Sequence, residues 1–181
     1  MLIDAHRSRL LVIDLQERLL PSIHDHERVV SSVVWMVRVA QKVGVPVAAV
    51  EQYAKGLGET AKAVRDLLPG DAIAAKTRFS CVAAECLGAL PGADRAQVVL
   101  IGIETHVCLL QTALELIEEG REVFVVADAV GSRREQDRDL ALARMRQEGV
   151  RIVSREMVAF EWLGEAATPL FREINREFLR G

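Results

Sequence analysis

Short apolar runs recur along the chain, separated by longer stretches in which apolar residues return every three or four positions. Arg9 to Asp14 (RLLVID), Val45 to Val50 (VPVAAV), Val98 to Ile101 (VVLI), Glu122 to Ala127 (EVFVVA) and Val150 to Val153 are of the first kind. This is the pattern of parallel strands covered on both faces. Asp71 to Ala75 is a further short strand, with Lys76 at its end. Helical spacing predicts a helix over Glu27 to Val43, with Val30, Val33, Val34, Val37 and Ala40 inward and Gly44 after its end. It predicts another over Arg134 to Glu148, closed by Gly149, and a third beginning after Thr105. Gln52 to Glu59 reads as a loop, Thr60 opens a short helix over Ala61 to Leu67, and Pro69-Gly70 is a turn. Phe79 to Leu90 includes a short helix carrying Cys81 and Cys86, and Glu156 to Leu163 and Pro169 to Leu179 are C-terminal helical segments. Strands alternate with helices throughout. The expected fold is a three-layer α/β/α sandwich with a central six-stranded parallel sheet, Rossmann-like, with right-handed crossovers and a single domain over residues 1–181.

Composition narrows the function. The net charge of −3 at pH 7 leaves no basic footprint, so nucleic acid is not an expected partner. Arg133-Arg134 lies among acids and reads as a solvated face. The three cysteines, Cys81, Cys86 and Cys108, contain no CxxC pair and suggest neither a disulfide framework nor a zinc site. Asp4, Arg7 and Arg9 interrupt the N-terminal stretch, which has no signal-peptide character, and no apolar run is long enough to span a bilayer. The expectation is a protein of a reducing cytoplasm, with no membrane partner and no cofactor.

In a parallel sheet of this kind, ligands bind beyond the carboxyl ends of the strands. Asp14, Glu51, Lys76, Cys108 and Asp128 fall at those ends. The chain is organised around Val98 to Glu119, a strand, a sharp turn at Gly102 and a helix. Thr105 is placed to cap that helix and Cys108 falls in its first turn, where free N–H groups and the helix dipole favour thiolate. The helix has a polar edge at Gln111, Thr112, Glu115 and Glu119. Taken singly, each residue has a plainer reading: Cys108 as a small core residue, Asp14 as a cap, Lys76 as a solvated loop lysine. Taken together, a carboxylate, a lysine and a thiol at neighbouring strand ends form a chemically complete set. The carboxylate accepts the thiol proton, the lysine holds both neighbours, and the thiolate attacks a carbonyl carbon.

The segments VIDLQ (Val12 to Gln16), EQYAKGLGET (Glu51 to Thr60), AKTRFS (Ala75 to Ser80), GIETHVCLLQTALEL (Gly102 to Leu116) and VVADAVGSR (Val125 to Arg133) resemble the isochorismatase-like cysteine hydrolase superfamily. The EQYAKGLG and GIETHVC forms are most similar to the branch of isochorismatase domain-containing proteins. The resemblance implies a triad of Asp14, Lys76 and Cys108, and a non-proline cis peptide between Ile103 and Glu104. It implies an oxyanion hole from the backbone N–H groups of Glu104 and Cys108, and hydrolysis of an amide or ureido C–N bond through a thioester. It also implies a homo-oligomer, a dimer or larger ring, and the apolar C-terminal residues Phe171, Ile174, Phe178 and Leu179 suit either a partner subunit or packing within the chain. Nicotinamidases of the superfamily carry a metal-binding Asp-x-His after the second strand. The corresponding Val50-Glu51-Gln52-Tyr53 has no histidine, so no metal is expected.

Glu51, Tyr53, Phe79 and His106 flank the strand ends and are candidates to line a small-molecule pocket. Gln16 reads as structural, Trp162 as pocket wall or packing, Cys81 and Cys86 as core, and Asp128 as holding its own turn. Three other readings stand beside the amide or ureido hydrolase. They are a catalytically silent binding or scaffold protein on the same fold, an isochorismate vinyl-ether hydrolase, and a thiol redox role for Cys108.

Overall fold

The computed structural model describes residues 1–180. Six parallel strands run β1 (Ser8–Ile13), β2 (Val47–Gln52), β3 (Ile73–Lys76), β4 (Gln97–Ile103), β5 (Glu122–Gly131) and β6 (Arg151–Val153), in the spatial order β3-β2-β1-β4-β5-β6. The helices are α1 (His26–Val43), α2 (Ala54–Leu57), α3 (Lys62–Arg65), α4 (Leu110–Glu118), α5 (Glu135–Gln147), α6 (Arg155–Leu163) and α7 (Pro169–Ile174). The three-layer α/β/α arrangement expected from the alternating pattern is present.

Strand alternation builds two separate apolar layers. Leu10, Val12, Val99, Ile101 and Phe124 face Val29, Val33, Met36 and Val37 of α1 and Val158 and Trp162 of α6. Their neighbours Leu11, Ile13, Leu100, Val123 and Val125 face Leu110, Ala113 and Leu116 of α4 and Ala141 and Met145 of α5. Each fully buried aliphatic side chain of this kind contributes about 1.5–3 kcal/mol. The C-terminal segment covers the α1 layer from outside. Ile174 is fully buried, Trp35 Nε1 donates to Phe178 O, and the Trp35 and Phe178 rings meet edge to face at 6.0 Å. Lys42 pairs with Glu173 and Glu177 there. The apolar side of that segment is thus used within the chain.

The strand order reverses between β1 and β4, so the carboxyl ends of those two strands open the crevice where such sheets bind ligands. Gly102 lets them approach. Its φ is +113°, and a Cβ there would stand 2.2 Å from Ile13 O and 2.8 Å from Ile13 N. Gly102→Ala is therefore expected to cost about 3 kcal/mol or more, because backbone, not a movable side chain, blocks the methyl group. A urea melt that leaves the midpoint unchanged would contradict this close approach.

Four local expectations are corrected. Tyr53, at φ +41°, turns the chain into the single helical turn α2, where a loop was expected. Residues 79–90 form consecutive turns and no helix, with Glu85 left-handed at φ +53°. The fifth strand does not end at Ala127. The pairing passes from Leu100–Val125 to Gly102–Val130, so residues 126–129 form an irregularity and β5 continues to Gly131. Asp128 therefore lies inside β5. Its Oδ1 accepts from Arg155 N at 2.9 Å, which ties the start of α6 and not its own turn. No helix among the described residues is long and apolar enough to cross a membrane.

Candidate active site

Asp14 follows the last residue of β1, its N–H donating to Val50 O at 3.1 Å. Strict alternation would send its side chain to the face of Leu10 and Val12. A left-handed backbone at φ +47° breaks the alternation, and the carboxylate meets Lys76, which shares the other face with Ala74. Asp14 Oδ2 accepts from Lys76 Nζ at 2.8 Å, with both side chains almost completely buried. Lys76 Nζ also donates to Gln52 Oε1 at 2.7 Å, and Gln52 Nε2 donates to Thr77 O at 2.8 Å. Gln52 is thus the residue that aims the lysine, and it was not among the sequence candidates. Strand parity carries the signal, since Gln52 lies on the same face of β2 as Val50 and Ala48.

Cys108 comes from the opposite side of the crevice. The Ile103–Glu104 peptide bond is cis, and Thr105–Leu109 forms a π-helical turn leading into α4. Thr105 does not cap this turn: its Oγ1 donates to Gly131 O at 2.9 Å. His106 Nδ1 lies 3.0 Å from Ser132 Oγ, and Arg133 Nε donates to Glu104 Oε2 at 2.9 Å. The last residue of β5, Gly131, and the two residues that follow it, Ser132 and Arg133, supply these three contacts.

The charges of the crevice oppose the thiolate expected from a helix N-terminus. Burial and then the negative charge and hydrogen bonding of Asp14 push the Cys108 thiol up to about 12, against the pull of Lys76. Burial pushes the Asp14 carboxyl up, and Lys76 offsets part of that shift. Burial alone would lower Lys76, but the adjacent Asp14 raises it. The resting arrangement is an ammonium–carboxylate pair facing a neutral thiol. Asp14 Oδ1, buried and without a conventional hydrogen-bond partner, is the free acceptor of the group. Cys86 is only partly buried, its Sγ donates to Cys81 O at 3.5 Å, and the neighbouring Cys81 thiol holds its pKa below the ordinary value for a cysteine. Iodoacetamide at pH 7.5 is therefore expected to label Cys86 well before Cys108 in the free protein. Peptide mass spectrometry showing Cys108 labelled first would overturn this assignment of charge.

A cleft of about 790 Å³ lies over Lys76. Its walls are residues 53–55, 75–78 and 83–85, so Tyr53 and Lys76 line it, whereas Asp14, Cys108, Glu51, Phe79 and His106 do not. Glu51 Oε1 instead accepts from Thr60 N at 2.6 Å and Thr60 Oγ1 at 2.8 Å. Phe79 is exposed, and Trp162 is buried in the α1 layer. Gln16 is structural: Nε2 donates to Gln52 O and Gly58 O while Oε1 accepts from Gln52 N. The third wall is held by the polar edge of α4. Glu115 Oε2 accepts from Ser80 Oγ at 2.6 Å and Ala83 N at 3.0 Å, and Thr112 Oγ1 accepts from Cys81 N at 3.0 Å. Among the described residues, no three His, Cys, Asp or Glu side chains gather as a metal-donor set.

A family model described as the Isochorismatase domain matches residues 8–157. Isochorismatase domain-containing protein 2A of Mus musculus is 41% identical over 175 residues, covering 93% of this chain and 81% of the mouse protein. Isochorismatase domain-containing protein 1 of Salmo salar is 40% identical over 165 residues, covering 90% of this chain. The match spans only 57% of the salmon protein's own length. The structure titled MAR1 ribonuclease from Caenorhabditis elegans superposes with a TM-score of 0.89 at 32% identity, covering 100% of this chain and 94% of that one.

Proposed function

We propose, for a chain that belongs to the isochorismatase family, a family that includes hydrolases, that it is a cysteine hydrolase cleaving an amide or ureido C–N bond of a small molecule. The observation that carries this is the Asp14–Lys76 pair, buried at 2.8 Å with a free carboxylate oxygen, beside the Cys108 thiol. In this reading, Asp14 takes the Cys108 proton as Sγ attacks the substrate carbonyl carbon. The carbonyl oxygen becomes an oxyanion, which the backbone N–H groups of Glu104 and Cys108 stabilise. The tetrahedral intermediate collapses, the C–N bond breaks, and the proton on Asp14 passes to the departing nitrogen. Water then loses a proton to Asp14 and attacks the thioester. The acid leaves and Cys108 regains its proton.

Lys76 has a separate task. Its charge keeps Asp14 ionised despite burial, and Gln52 fixes the direction of its Nζ. No step is routed through a metal, because Glu51 is committed to Thr60 and no donor set gathers around the cleft among the described residues.

The volume of the cleft suits a small molecule. Lys55 and Arg78 in its walls favour a substrate bearing a carboxylate or another negative group. The C. elegans structure is titled a ribonuclease. The net charge of −3 here supplies no basic track for a polynucleotide, so we assign the small-molecule class. The test is a screen of amides and N-carbamoyl acids, with a single-stranded RNA control, followed by rapid acid quench and intact mass. A hit that loads Cys108 with the acyl mass minus the nitrogen leaving group supports the reading. Hydrolysis without any Cys108 adduct, RNA cleavage alone, or no turnover across the screen counts against it.

A further inference from the structure

A second cavity opens beside Arg9, near the start of β1, and shares Glu85 with the wall of the first cleft. It has a volume of about 290 Å³, and Arg9, Arg121, Cys81 and Leu87 are among the side chains around it. Nothing in the mechanism above uses it.

Arg9 is 3% exposed. Its Nη1 donates to Leu87 O at 3.3 Å, and its Nε is buried with no hydrogen-bond partner. Burial disfavours the Arg9 charge, the nearby Arg121 adds to that, and Glu119 at the rim offsets only part of it. The Arg121 guanidinium donates to Arg95 O at 2.8 Å and Ala93 O at 3.3 Å. Neither arginine forms an ion pair among the described residues. A buried guanidinium beside a second cation, with a donor unused, is a costly arrangement unless a negative group completes it. The carboxylates facing the cavity, Glu85 and Glu119, belong to exposed residues at its rim, and neither pairs with Arg9. The guanidinium remains the one buried charge.

We propose that this cavity binds a small oxyanion or carboxylate, held by the Arg9 and Arg121 guanidinium groups. A planar fork with free N–H donors suits such an anion. The cavity of about 290 Å³ has room for a small anion, and the carboxylates of Glu85 and Glu119 at its rim work against the two arginines. The proposal does not depend on the activity assigned to the cleft.

Inorganic phosphate is the probe, titrated by calorimetry into the whole protein at constant ionic strength, with acetate as a second arm. Saturable one-to-one binding in the millimolar range or tighter is expected. Arg121→Gln should weaken it about tenfold, as the loss of a charged hydrogen bond implies. Glu119→Gln should tighten it several-fold, because a competing rim charge is removed. Arg9→Met should abolish it, and if that variant does not fold, Arg121→Gln decides alone. Saturation by acetate but not phosphate would narrow the ligand to carboxylates and still support the site. Three results would overturn the proposal: no saturable binding of either anion, binding unchanged in Arg121→Gln, or binding lost in Arg78→Gln, which would place the anion in the catalytic cleft.

Discussion

Cys108→Ala is expected to reduce turnover of any substrate found for the cleft by about 10⁴-fold or more, since removal of a nucleophile from a concerted group leaves only binding and oxyanion contacts. Asp14→Asn should lower kcat by about 10²–10⁴-fold, the contribution of a positioned general base. The pH profile separates the two roles. Wild-type protein holds Cys108 as a neutral thiol well above neutral pH, its acidity shifted up to about 12 by burial and Asp14. Proton transfer must therefore occur with substrate bound, and the Asp14→Asn variant should recover part of its rate as pH rises and hydroxide takes over deprotonation. If Asp14→Asn keeps full activity, the assignment of the base fails. If Cys108→Ala keeps activity, the thioester route fails altogether.

Lys76→Met is expected to have the largest effect on stability. Lys76 is 4% exposed and its ammonium is the cation paired with a carboxylate that is itself 1% exposed. Removing one partner of a buried pair costs about 3–5 kcal/mol, because the other charge is left uncompensated. Asp14 will respond by holding its proton. Its folded-state acidity, already raised by burial, is raised further once the lysine is gone. A carboxyl raised on folding stabilises the protein below its unfolded value, and that contribution disappears as pH rises through the folded value. The deficit of Lys76→Met relative to wild type should therefore be smallest near pH 4 and grow toward neutrality. Urea midpoints measured across that range, with the same slope in both proteins, would show it. A deficit independent of pH would mean that lost packing of the lysine stem, not the orphaned carboxylate, dominates.

Asp14 and Lys76 stand at the ends of short apolar runs, which in an alternating α/β chain read as buried strands, and the structure brings the two together as a buried pair. Gln52 was legible by the same parity but was masked by its neighbour Glu51, whose charge draws attention although it serves Thr60. Asp128 was misplaced because an irregularity in strand pairing leaves no mark in the apolar pattern: Val125 and Val130 both pair with β4, and the residues between them do not count toward its register. The protonation of Cys108 was misjudged for a different reason. A helix dipole can be read from one segment, whereas burial and the charge of Asp14 come from strands remote in sequence, and they outweigh it. The turns of residues 79–90 leave no mark in the apolar pattern, because the groups that hold them, Thr112 and Glu115, lie on another element.

That last pairing bears on how such a site changes over evolutionary time. The wall formed by residues 83–85 is attached to α4 through Glu115, whose Oε2 accepts from Ala83 N. Substitutions at Ala83, Ala84 or Glu85 can reshape the substrate's seat while leaving Asp14, Lys76 and Cys108 in place. Ser80 and Glu115 are different, because a change at either one frees the whole wall. New substrate preferences should arise through the first set, and those two positions should vary only together.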